Sequence, residues 1–299
     1  MVGEDRLMKE IFKLISTISD GDGPVFIQGE TGTGKELVAR AIHNRGPRKK
    51  KPFVVVNCAT IPEAMMESEL FGHNKGSFTG AMSTRMGKLE IADGGTVLLD
   101  DIDSLDIGMQ GKLLRAIQEK EFQRLGGTKI IKVDIRFLAA SNKDIKALIS
   151  RGKFREDLFF RLHVFSIELP PLRKRKGDIP LLLDHFLEVF SKKNGTSHKS
   201  FSEKAMNALV KYDWPGNVRE LENMVERIST VVKEPVVYAH DISLSGIGLG
   251  RIMGLKLKDA VKAFKNQYVQ EVLESVDGRK GAAAEILGVH RNTLLRDMD

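Results

Sequence analysis

The stretch GETGTGKE, from Gly29 to Glu36, has the residue types and spacing of a loop that binds phosphate groups. Glycines let backbone N–H groups approach phosphate oxygens, and a lysine at the start of the following helix can reach the outer phosphates. Glu36 stands where such loops usually place a Ser or Thr hydroxyl on Mg²⁺, so the metal must rely on other ligands. The predicted nucleotide-binding residues of this stretch are Gly29, Glu30, Thr31, Gly32, Thr33, Gly34, Lys35 and Glu36.

Two adjacent acids after the apolar run TVLL, Asp100 and Asp101, could complete a site for nucleotide hydrolysis. In phosphoryl-transfer sites an acid after a buried strand holds Mg²⁺, directly or through water, and another group orients the attacking water. We assign the first role to Asp100 and the second to Asp101. A solvated pair of acids at the end of a strand is the alternative.

Two asparagines follow other apolar runs. Asn142 comes after IRFLAAS and could sense the terminal phosphate from a neighbouring strand, and Asn57 ends PFVVVN at the equivalent edge. For each of them, a turn-forming asparagine is an equally good interpretation.

Two arginines, Arg155 and Arg161, lie six residues apart in FREDLFFRL. Phosphoryl transfer needs positive charge at its transition state, and a neighbouring subunit often supplies it as an arginine finger. Within one subunit the same arginines could instead pair with Glu156 and Asp157, and spacing alone does not decide between the two.

These polar groups need a sheet to position them. The apolar runs PVFIQG, PFVVVN, TVLLDD and IRFLAAS predict buried strands, and KELVARAIHNR and MQGKLLRAIQEKEF have helical spacing. This alternation predicts an α/β fold in which helices cover both faces of a parallel sheet. After ELPPLRKRKGDIP the pattern becomes helical, in LLLDHFLEVFSKK, EKAMNALVKY and NVRELENMVERISTVV.

The same pattern predicts the domain organisation. We expect a nucleotide-binding domain over 1–165, a small helical domain over 166–243, a glycine-rich linker over 244–254 and a second helical unit over 255–299.

The last unit contains GRKGAAAEILGVHRNTLLRDMD, which suits a helix-turn-helix with its turn at Gly288–Val289 and its second helix from about His290. The unit is only mildly basic, so a dimerising helical bundle is the alternative to DNA binding. The candidate DNA contacts are Arg291, Asn292, Thr293 and Arg296.

Composition narrows the setting of the protein. The 299 residues include one cysteine, Cys58, and carry a formal net charge of +7, which weakly favours a polyanionic partner. A single cysteine excludes an intramolecular disulfide, and no membrane-length apolar run or signal-peptide pattern occurs, so we expect a cytoplasmic protein without a membrane partner. We expect Cys58 to be a small buried apolar side chain. For the basic runs RKKK (48–51) and RKRK (173–176), solvated loops are favoured over nucleic-acid patches.

The stretch GSFTGA, from Gly76 to Ala81, places a bare aromatic, Phe78, between glycines in a segment with no strand or helix period. An exposed aromatic on such a loop indicates a contact with something outside the fold. Packing of Phe78 into the core is the alternative.

Taken together, GETGTGKE, GSFTGA, FREDLFFRL and WPGNVREL occur in an order that resembles the bacterial enhancer-binding proteins, the AAA+ activators of sigma-54 RNA polymerase. The resemblance runs from about residue 3 to the end and is densest between 23 and 235. It implies an AAA+ P-loop NTPase sheet with a helical lid domain and a C-terminal, all-α helix-turn-helix domain of the Fis type. It also implies ATP and Mg²⁺ as cofactors, sigma-54 RNA polymerase holoenzyme and upstream enhancer DNA as partners, and a hexamer as the active form.

The resemblance implies a role for each matching residue. The family also carries glutamate where Glu36 stands. The implied roles at the nucleotide are metal ligand for Asp100, catalytic acid for Asp101, switch residue for Asn57, first sensor for Asn142, arginine fingers for Arg155 and Arg161, and second sensor for Arg219. The implied sigma-54 contacts are Gly76, Ser77, Phe78, Thr79, Gly80 and Ala81, supported by a second loop near 104–111.

Two positions depart from the family pattern. Ser77 stands where alanine is usual, and Asp101 stands where a glutamate, one methylene longer, usually positions water. Two rival functions follow. A general AAA+ unfoldase or helicase loader is opposed by GSFTGA, and a DNA-binding regulator with an inactive ATPase is supported only by Asp101.

Overall fold

The computed structural model describes residues 1–195, 199–239, 241–242, 257–276 and 279–289. The chain divides into two compact units, one of residues 1–196 and 209–227 and the other of residues 197–208 and 228–299. The predicted domain boundaries do not coincide with this division and stay a prediction.

The strands, in chain order, are β1 (Val25–Gln28), β2 (Phe53–Asn57), β3 (Gly72–His73), β4 (Arg85–Met86), β5 (Thr96–Asp100), β6 (Glu121–Gln123), β7 (Ile130–Lys132), β8 (Arg136–Ser141), β9 (Phe165–Glu168), β10 (Ser200–Phe201) and β11 (Val236–Val237). The α-helices are α1 (Arg6–Ser19), α2 (Lys35–Arg45), α3 (Glu63–Phe71), α4 (Lys88–Ile91), α5 (Ile107–Glu119), α6 (Ile145–Ser150), α7 (Glu156–Leu162), α8 (Asp178–Asn194), α9 (Glu203–Lys211), α10 (Asn217–Val231), α11 (Leu257–Ser275) and α12 (Lys280–Ile286). Two short 3₁₀ helices span Ile102–Ser104 and Leu172–Lys174.

Five parallel strands form the central sheet of the first unit, in the order β2-β5-β8-β1-β9. The four strands predicted from apolar runs are confirmed within it. The fifth strand, β9, begins at Phe165, the residue at which we expected the first domain to end. Because all five strands run in one direction, their carboxyl ends lie at one edge, where open α/β sheets bind ligands.

Alternate residues of the central strands face two separate apolar clusters. Phe26, Leu99 and Phe137 lie in the cluster that includes side chains of α3, α5 and α7. Ile27 and Leu138 lie in the cluster formed with α1 and α2. Helices therefore cover both faces of the sheet, which explains why its central strands are apolar on both sides.

One predicted helix is shorter than its pattern. MQGKLLRAIQEKEF indicated helix up to Phe122, but α5 ends at Glu119, and Lys120 has a left-handed backbone, with φ +55°. Such a residue ends a helix. The following three residues form β6, which pairs with β7 in an antiparallel hairpin.

The second unit contains the two C-terminal helices that the structure describes. Val272, Leu273 and Val276 of the α11 region pack with Ala283 and Ala284 of α12. The chain turns after α12 at Gly288, where φ is +63°, as the helix-turn-helix pattern predicts. The expected second helix, with the candidate DNA contacts Arg291, Asn292, Thr293 and Arg296, lies outside the described residues. Among the described helices, none combines the length and the apolarity that a bilayer crossing would need.

Candidate functional site

The predicted phosphate loop connects β1 to α2 at the carboxyl edge of the sheet. The N–H of Gly29 donates to the carbonyl of Ser141 at the end of β8 (3.2 Å), which attaches the loop to the neighbouring strand. Gly32 and Gly34 have positive φ values, +79° and +101°. A Cβ at Gly32 would also overlap the carbonyl oxygen of Gly216, so this position needs glycine for space as well as for conformation.

Lys35 is the cation of this loop, and it is buried, with 8% of its surface exposed. Its Nζ donates to the carbonyl oxygens of Gly29 (2.9 Å) and Glu30 (3.3 Å). Burial lowers the pKa of Lys35, and the negative charges of Asp100 and Asp101 oppose that shift. The structure therefore brings the predicted lysine and the predicted acid pair to one place.

The acid pair is held in a specific local geometry. Asp101 has a left-handed backbone (φ +50°), and its N–H donates to Oδ1 of Asp100 (3.1 Å). Burial, followed by the charge of Asp101, raises the pKa of the half-buried Asp100, while Lys35 lowers it. A cation bound near Asp100 would remove this penalty by stabilising its carboxylate.

The donor set fits Mg²⁺ in the form that nucleotide sites use. Mg²⁺ prefers oxygen ligands and is usually held by one or two carboxylates together with substrate phosphates. Within the described residues, no group of three or more His, Cys, Asp or Glu side chains could hold a metal ion alone. The carboxylate of Asp100 would therefore hold the metal together with a nucleotide.

Asn142 joins the phosphate loop to the acid pair. Its Nδ2 donates to Oγ1 of Thr31 (3.1 Å) and lies 3.4 Å from Oδ1 of Asp101. A side chain in this position can respond to both the loop and the acid predicted to orient water. This contact supports the sensor interpretation of Asn142 over the turn-forming one.

Asp103 was not among the predicted site residues, yet it lies beside them. Its carboxylate is 2% exposed, pairs with Lys143 (2.7 Å) and accepts a hydrogen bond from Ser141 (2.7 Å). It thereby fixes the end of β8, which carries Asn142. A signal was present in the sequence, because LLDDID places Asp103 two residues after Asp101.

Asn57 adopts the turn-forming role that its sequence left open. Its Oδ1 accepts hydrogen bonds from the N–H groups of Ala59 (3.0 Å) and Thr60 (3.1 Å). It lies opposite Asp100 in the register of β2 and β5, but its described hydrogen bonds are to this turn. The neighbouring Cys58 is buried as expected, and burial raises the pKa of its thiol to about 12.

The two predicted arginine fingers differ in whether they pair with an acid of their own subunit. Two guanidinium nitrogens of Arg155, Nε and Nη2, donate to the Asp157 carboxylate (3.0 and 2.7 Å), so Arg155 forms the predicted ion pair within its own subunit. Arg161 is exposed in the last turn of α7, and no acid partner for it occurs in the described part of the chain. Neither arginine contacts the phosphate loop of its own subunit among the hydrogen bonds of the described residues.

Arg219, the predicted second sensor, lies next to the phosphate loop. It lies in the first turn of α10, and its backbone N–H donates to the carbonyl of Gly32 (3.3 Å). The charge of Arg219 lowers the pKa of Lys35, although less than burial does, so the two cations lie near each other. Two cations, Lys35 at the start of α2 and Arg219 at the start of α10, thus lie near the phosphate loop.

The stretch Gly76 to Ala81, called here the contact loop, is largely exposed. Its backbone closes on itself, since the N–H of Gly76 donates to the carbonyl of Ala81 (2.9 Å). Phe78 is 46% exposed, and its ring packs against that of buried His73 in a T-shaped arrangement, with a centroid distance of 5.1 Å. The alternative interpretation, that Phe78 packs into the core, is therefore wrong. Thr79, the next residue, is also exposed.

The support of the contact loop differs from our expectation. The segment 104–111 forms the end of a 3₁₀ helix and the start of α5. The loop instead meets the turn 124–127 of the β6–β7 hairpin. There the N–H of Asn74 donates to the carbonyl of Leu125 (3.0 Å), and Ser77 lies against Gly126.

The basic run 173–176 is exposed at Arg173, Lys174 and Lys176, as predicted for a solvated segment, but it makes specific contacts. Arg173 pairs with Glu30 of the phosphate loop, and Arg175 is buried, with 2% of its surface exposed. Lys176 donates to the carbonyl of Lys211 (3.3 Å) and lies 4.0 Å from Asp213. These contacts also argue against a nucleic-acid patch here.

Comparison with protein families matches three parts of the chain. Residues 1–168 match the Sigma-54 interaction domain, residues 173–245 match the AAA+ ATPase lid domain, and residues 262–298 match the bacterial regulatory protein, Fis family.

Individual relatives agree with these matches. The chain is 43% identical over 297 residues to the nitrogen fixation protein AnfA of Azotobacter vinelandii, covering 98% of this chain and 56% of AnfA. It is also 43% identical over 297 residues to the regulatory protein AtoC of Escherichia coli, covering 96% of this chain and 64% of AtoC. The chain therefore spans between about half and two thirds of the length of these curated relatives.

Among solved structures, NtrX of Brucella abortus has the same fold. Its complex with ADP superimposes with a TM-score of 0.77 at 35% sequence identity, covering 100% of this chain and 68% of NtrX. The complex of NtrX with ATP gives the same values. These matches bear out the predicted fold class, an AAA+ P-loop sheet with a lid and a C-terminal Fis-type helix-turn-helix.

Proposed function

We propose that this chain, which belongs to the sigma-54 interaction domain family, hydrolyses ATP to activate the RNA polymerase that carries sigma-54. The observation that carries the proposal is the position of Asn142. Its side chain contacts both Thr31 of the phosphate loop and Asp101 of the acid pair, so binding and hydrolysis groups meet at one edge of the sheet. The nucleotide complexes of NtrX support ATP as the ligand.

In this proposal each group at the sheet edge has one task. The N–H groups of the phosphate loop and Lys35 bind the phosphates, and Asp101 orients the attacking water and takes up its proton. Asn142 links the position of Asp101 to the state of the terminal phosphate. Mg²⁺, held by Asp100 with Asp101 nearby, would neutralise charge that develops on the phosphate oxygens.

The arginines are proposed to act between subunits of a ring, which we expect to be a hexamer. Arg161 has no acid partner in the described part of its own chain and is exposed, so it is available to a neighbouring subunit. Arg155 would first have to leave Asp157. Arg219 would report nucleotide state to the lid. Because a finger supplied by another subunit requires assembly, specific ATPase activity should rise with protein concentration.

The contact loop is proposed to bind sigma-54, and hydrolysis would move it against the closed promoter complex. The C-terminal unit would hold the protein at enhancer DNA through Arg291, Asn292, Thr293 and Arg296, and the site of action would be the cytoplasm. Asn57 keeps its proposed role as a switch only if its side chain leaves the turn with Ala59 and Thr60.

The decisive experiment is open-complex formation on a sigma-54 promoter with purified protein, polymerase and ATP. We expect open complexes with ATP and none with a non-hydrolysable analogue. ATPase stimulation by unfolded protein but not by sigma-54 would instead support a general unfoldase. Promoter binding without phosphate release would support a regulator with an inactive ATPase.

A further inference from the structure

Four consecutive residues of the phosphate loop are hydrogen-bonded to groups on the lid side. The Glu30 carboxylate accepts from Arg173 and Asn217, and the carbonyl of Thr31 accepts from Asn217. The carbonyl of Gly32 accepts from the N–H groups of Val218 and Arg219, and that of Thr33 from Arg175. We name the three side chains Arg173, Arg175 and Asn217 the lid clasp.

Asn217 is the centre of the clasp. It is fully buried and has a left-handed backbone (φ +54°), a conformation that asparagine tolerates better than most residues. Its Oδ1 accepts from the N–H of Leu172 (2.8 Å), while its Nδ2 donates to Glu30 Oε2 (3.2 Å) and to the Thr31 carbonyl (3.0 Å). Both ends of the amide are engaged, so its orientation is determined.

The clasp determines which way the loop amides point. In a trans peptide the N–H points opposite to the carbonyl of the preceding residue, and no cis peptide occurs among the described residues. Since the carbonyls of Thr31 and Thr33 face the lid donors, the N–H groups of Gly32 and Gly34 face away from them. These N–H groups are thus directed to the inside of the loop, where a phosphate would bind them.

The clasp is poorly explained as a stabilising device. Arg173 and Glu30 are 39% and 41% exposed, and exposed ion pairs contribute little to stability. Arg175 is nearly fully buried, and its Nε has no hydrogen-bond partner in the described structure, which costs free energy. The Arg173 hydrogen bond lowers the pKa of Glu30, so its carboxylate remains a charged acceptor at neutral pH.

We propose that Asn217, together with Arg173 and Arg175, is a positioning residue that preorganises the phosphate loop for a nucleoside di- or triphosphate. The inference rests on the proposed ATPase function. A preorganised loop binds the phosphates equally in the ground state and the transition state. Its loss therefore raises Kd and KM and leaves kcat nearly unchanged.

The test is Asn217→Asp, which retains the shape and the left-handed tolerance, removes the donor and replaces its hydrogen bond to Glu30 by repulsion between two carboxylates. We expect the Kd values for ATP and ADP to rise about tenfold or more, with kcat at saturating ATP within about threefold of wild type. Arg173→Ala, at an exposed position, should raise Kd about three- to tenfold and serves if Asn217→Asp does not fold. Lys176→Ala is the matched control, because it removes a cation of the same run that does not contact the loop, and it should bind ATP normally.

A merely structural role would lower the melting temperature and leave ATP affinity unchanged well below it. Folded Asn217→Asp and Arg173→Ala proteins that bind ATP within twofold of wild type would overturn the inference. A wild-type protein that does not bind ATP would instead overturn the proposed function, so the two failures are distinguishable.

Discussion

The phosphate loop and the contact loop are both short, glycine-containing turns, but they are held in different ways. Gly32 and Gly34 in the first have positive φ values, as do Gly76 and Gly80 in the second. A Cβ at Gly32 would overlap the backbone of Gly216, whereas a Cβ at Gly76 or Gly80 would meet nothing within 4 Å.

The hydrogen bonds show the same difference. The phosphate loop is bonded to β8 and, at each residue from Glu30 to Thr33, to the lid side. The contact loop is closed mainly by its own backbone bond from Gly76 to Ala81. Glycine content alone therefore does not determine how firmly a loop is held. Hydrogen bonds to other parts of the chain do, and the loop proposed to bind nucleotide has more of them.

Lys35→Ala should have the largest effect on the first loop. Removal of the buried cation should lower ATP affinity by about a hundredfold or more and abolish turnover, because charge-assisted bonds to the outer phosphates are lost. Nucleotide binding and phosphate release measure both. Turnover equal to wild type would show that the loop is not the nucleotide site.

Asp101→Asn should separate binding from hydrolysis within the same region. We expect kcat to fall by about 10²–10⁴ while ATP still binds, because the amide cannot take up a proton from water. Asp101→Glu should keep activity within about tenfold, or roughly 1.4 kcal/mol of barrier. It should also lose about 1 kcal/mol of stability, since glutamate suits the left-handed backbone less well. An active Asp101→Asn enzyme would move the catalytic role to another acid, such as Asp103.

Gly32→Ala and Gly80→Ala compare the two loops directly. Gly32→Ala should lower the free energy of unfolding by about 3 kcal/mol or more, because backbone must shift to admit the methyl group. Gly80→Ala should cost only about 1–2 kcal/mol, from its φ alone. Thermal or denaturant unfolding measures both, and equal losses would contradict the comparison.

Phe78→Ala and Thr79→Ala should affect output without affecting turnover. The half-exposed Phe78 ring contributes little burial, so we expect a stability loss of only about 1 kcal/mol from its contact with His73. ATPase activity should stay near wild type, while sigma-54 binding in the presence of a transition-state mimic of ATP should be lost. A Phe78→Ala protein that melts many degrees lower and loses ATPase in parallel would make this ring a packing residue.

Ser77→Ala should have the smallest effect, and in the opposite direction. The Oγ of Ser77 is buried without a hydrogen-bond partner in the described structure. Its removal should raise the free energy of unfolding by about 1 kcal/mol. Ser77→Val is a matched control that should not stabilise, since the larger side chain would press on Gly126. A lower melting temperature for Ser77→Ala would show that the hydroxyl has a partner.

The sequence was sufficient wherever a local pattern carried the information. Three strands, β1, β5 and β8, were predicted from apolar runs because they are buried on both faces. The edge strand β2 was predicted because its run FVVV is apolar throughout, although only Val56 in it is buried. The fifth, β9, was not, because its sequence FSIE alternates apolar and polar residues over only four positions and gives no apolar run. The end of α5 was predicted three residues too late, because lysine is not a residue type that indicates a left-handed backbone.

The site was predictable in its residue types and less so in its contacts. Lys35, Asp101 and Asn142 come together as expected. The partner turn 124–127 of the contact loop and the lid partners of Glu30 depend on residues far away in sequence, which spacing does not reveal. The pairing of Arg173 with Glu30 and the burial of Arg175 were missed for the same reason, since a run of basic residues looks identical whether it faces solvent or a loop.

The edge strand β9 has a practical consequence for anyone who divides this chain. β1, which leads into the phosphate loop, lies between β8 and β9. A fragment that stops at residue 165 would therefore leave β1, an apolar strand, with an open row of unpaired N–H and carbonyl groups. Open edges of this kind recruit strands from other chains and aggregate. A fragment intended to stay monomeric and to retain the nucleotide site should include Glu168 and the lid residues up to the start of α10.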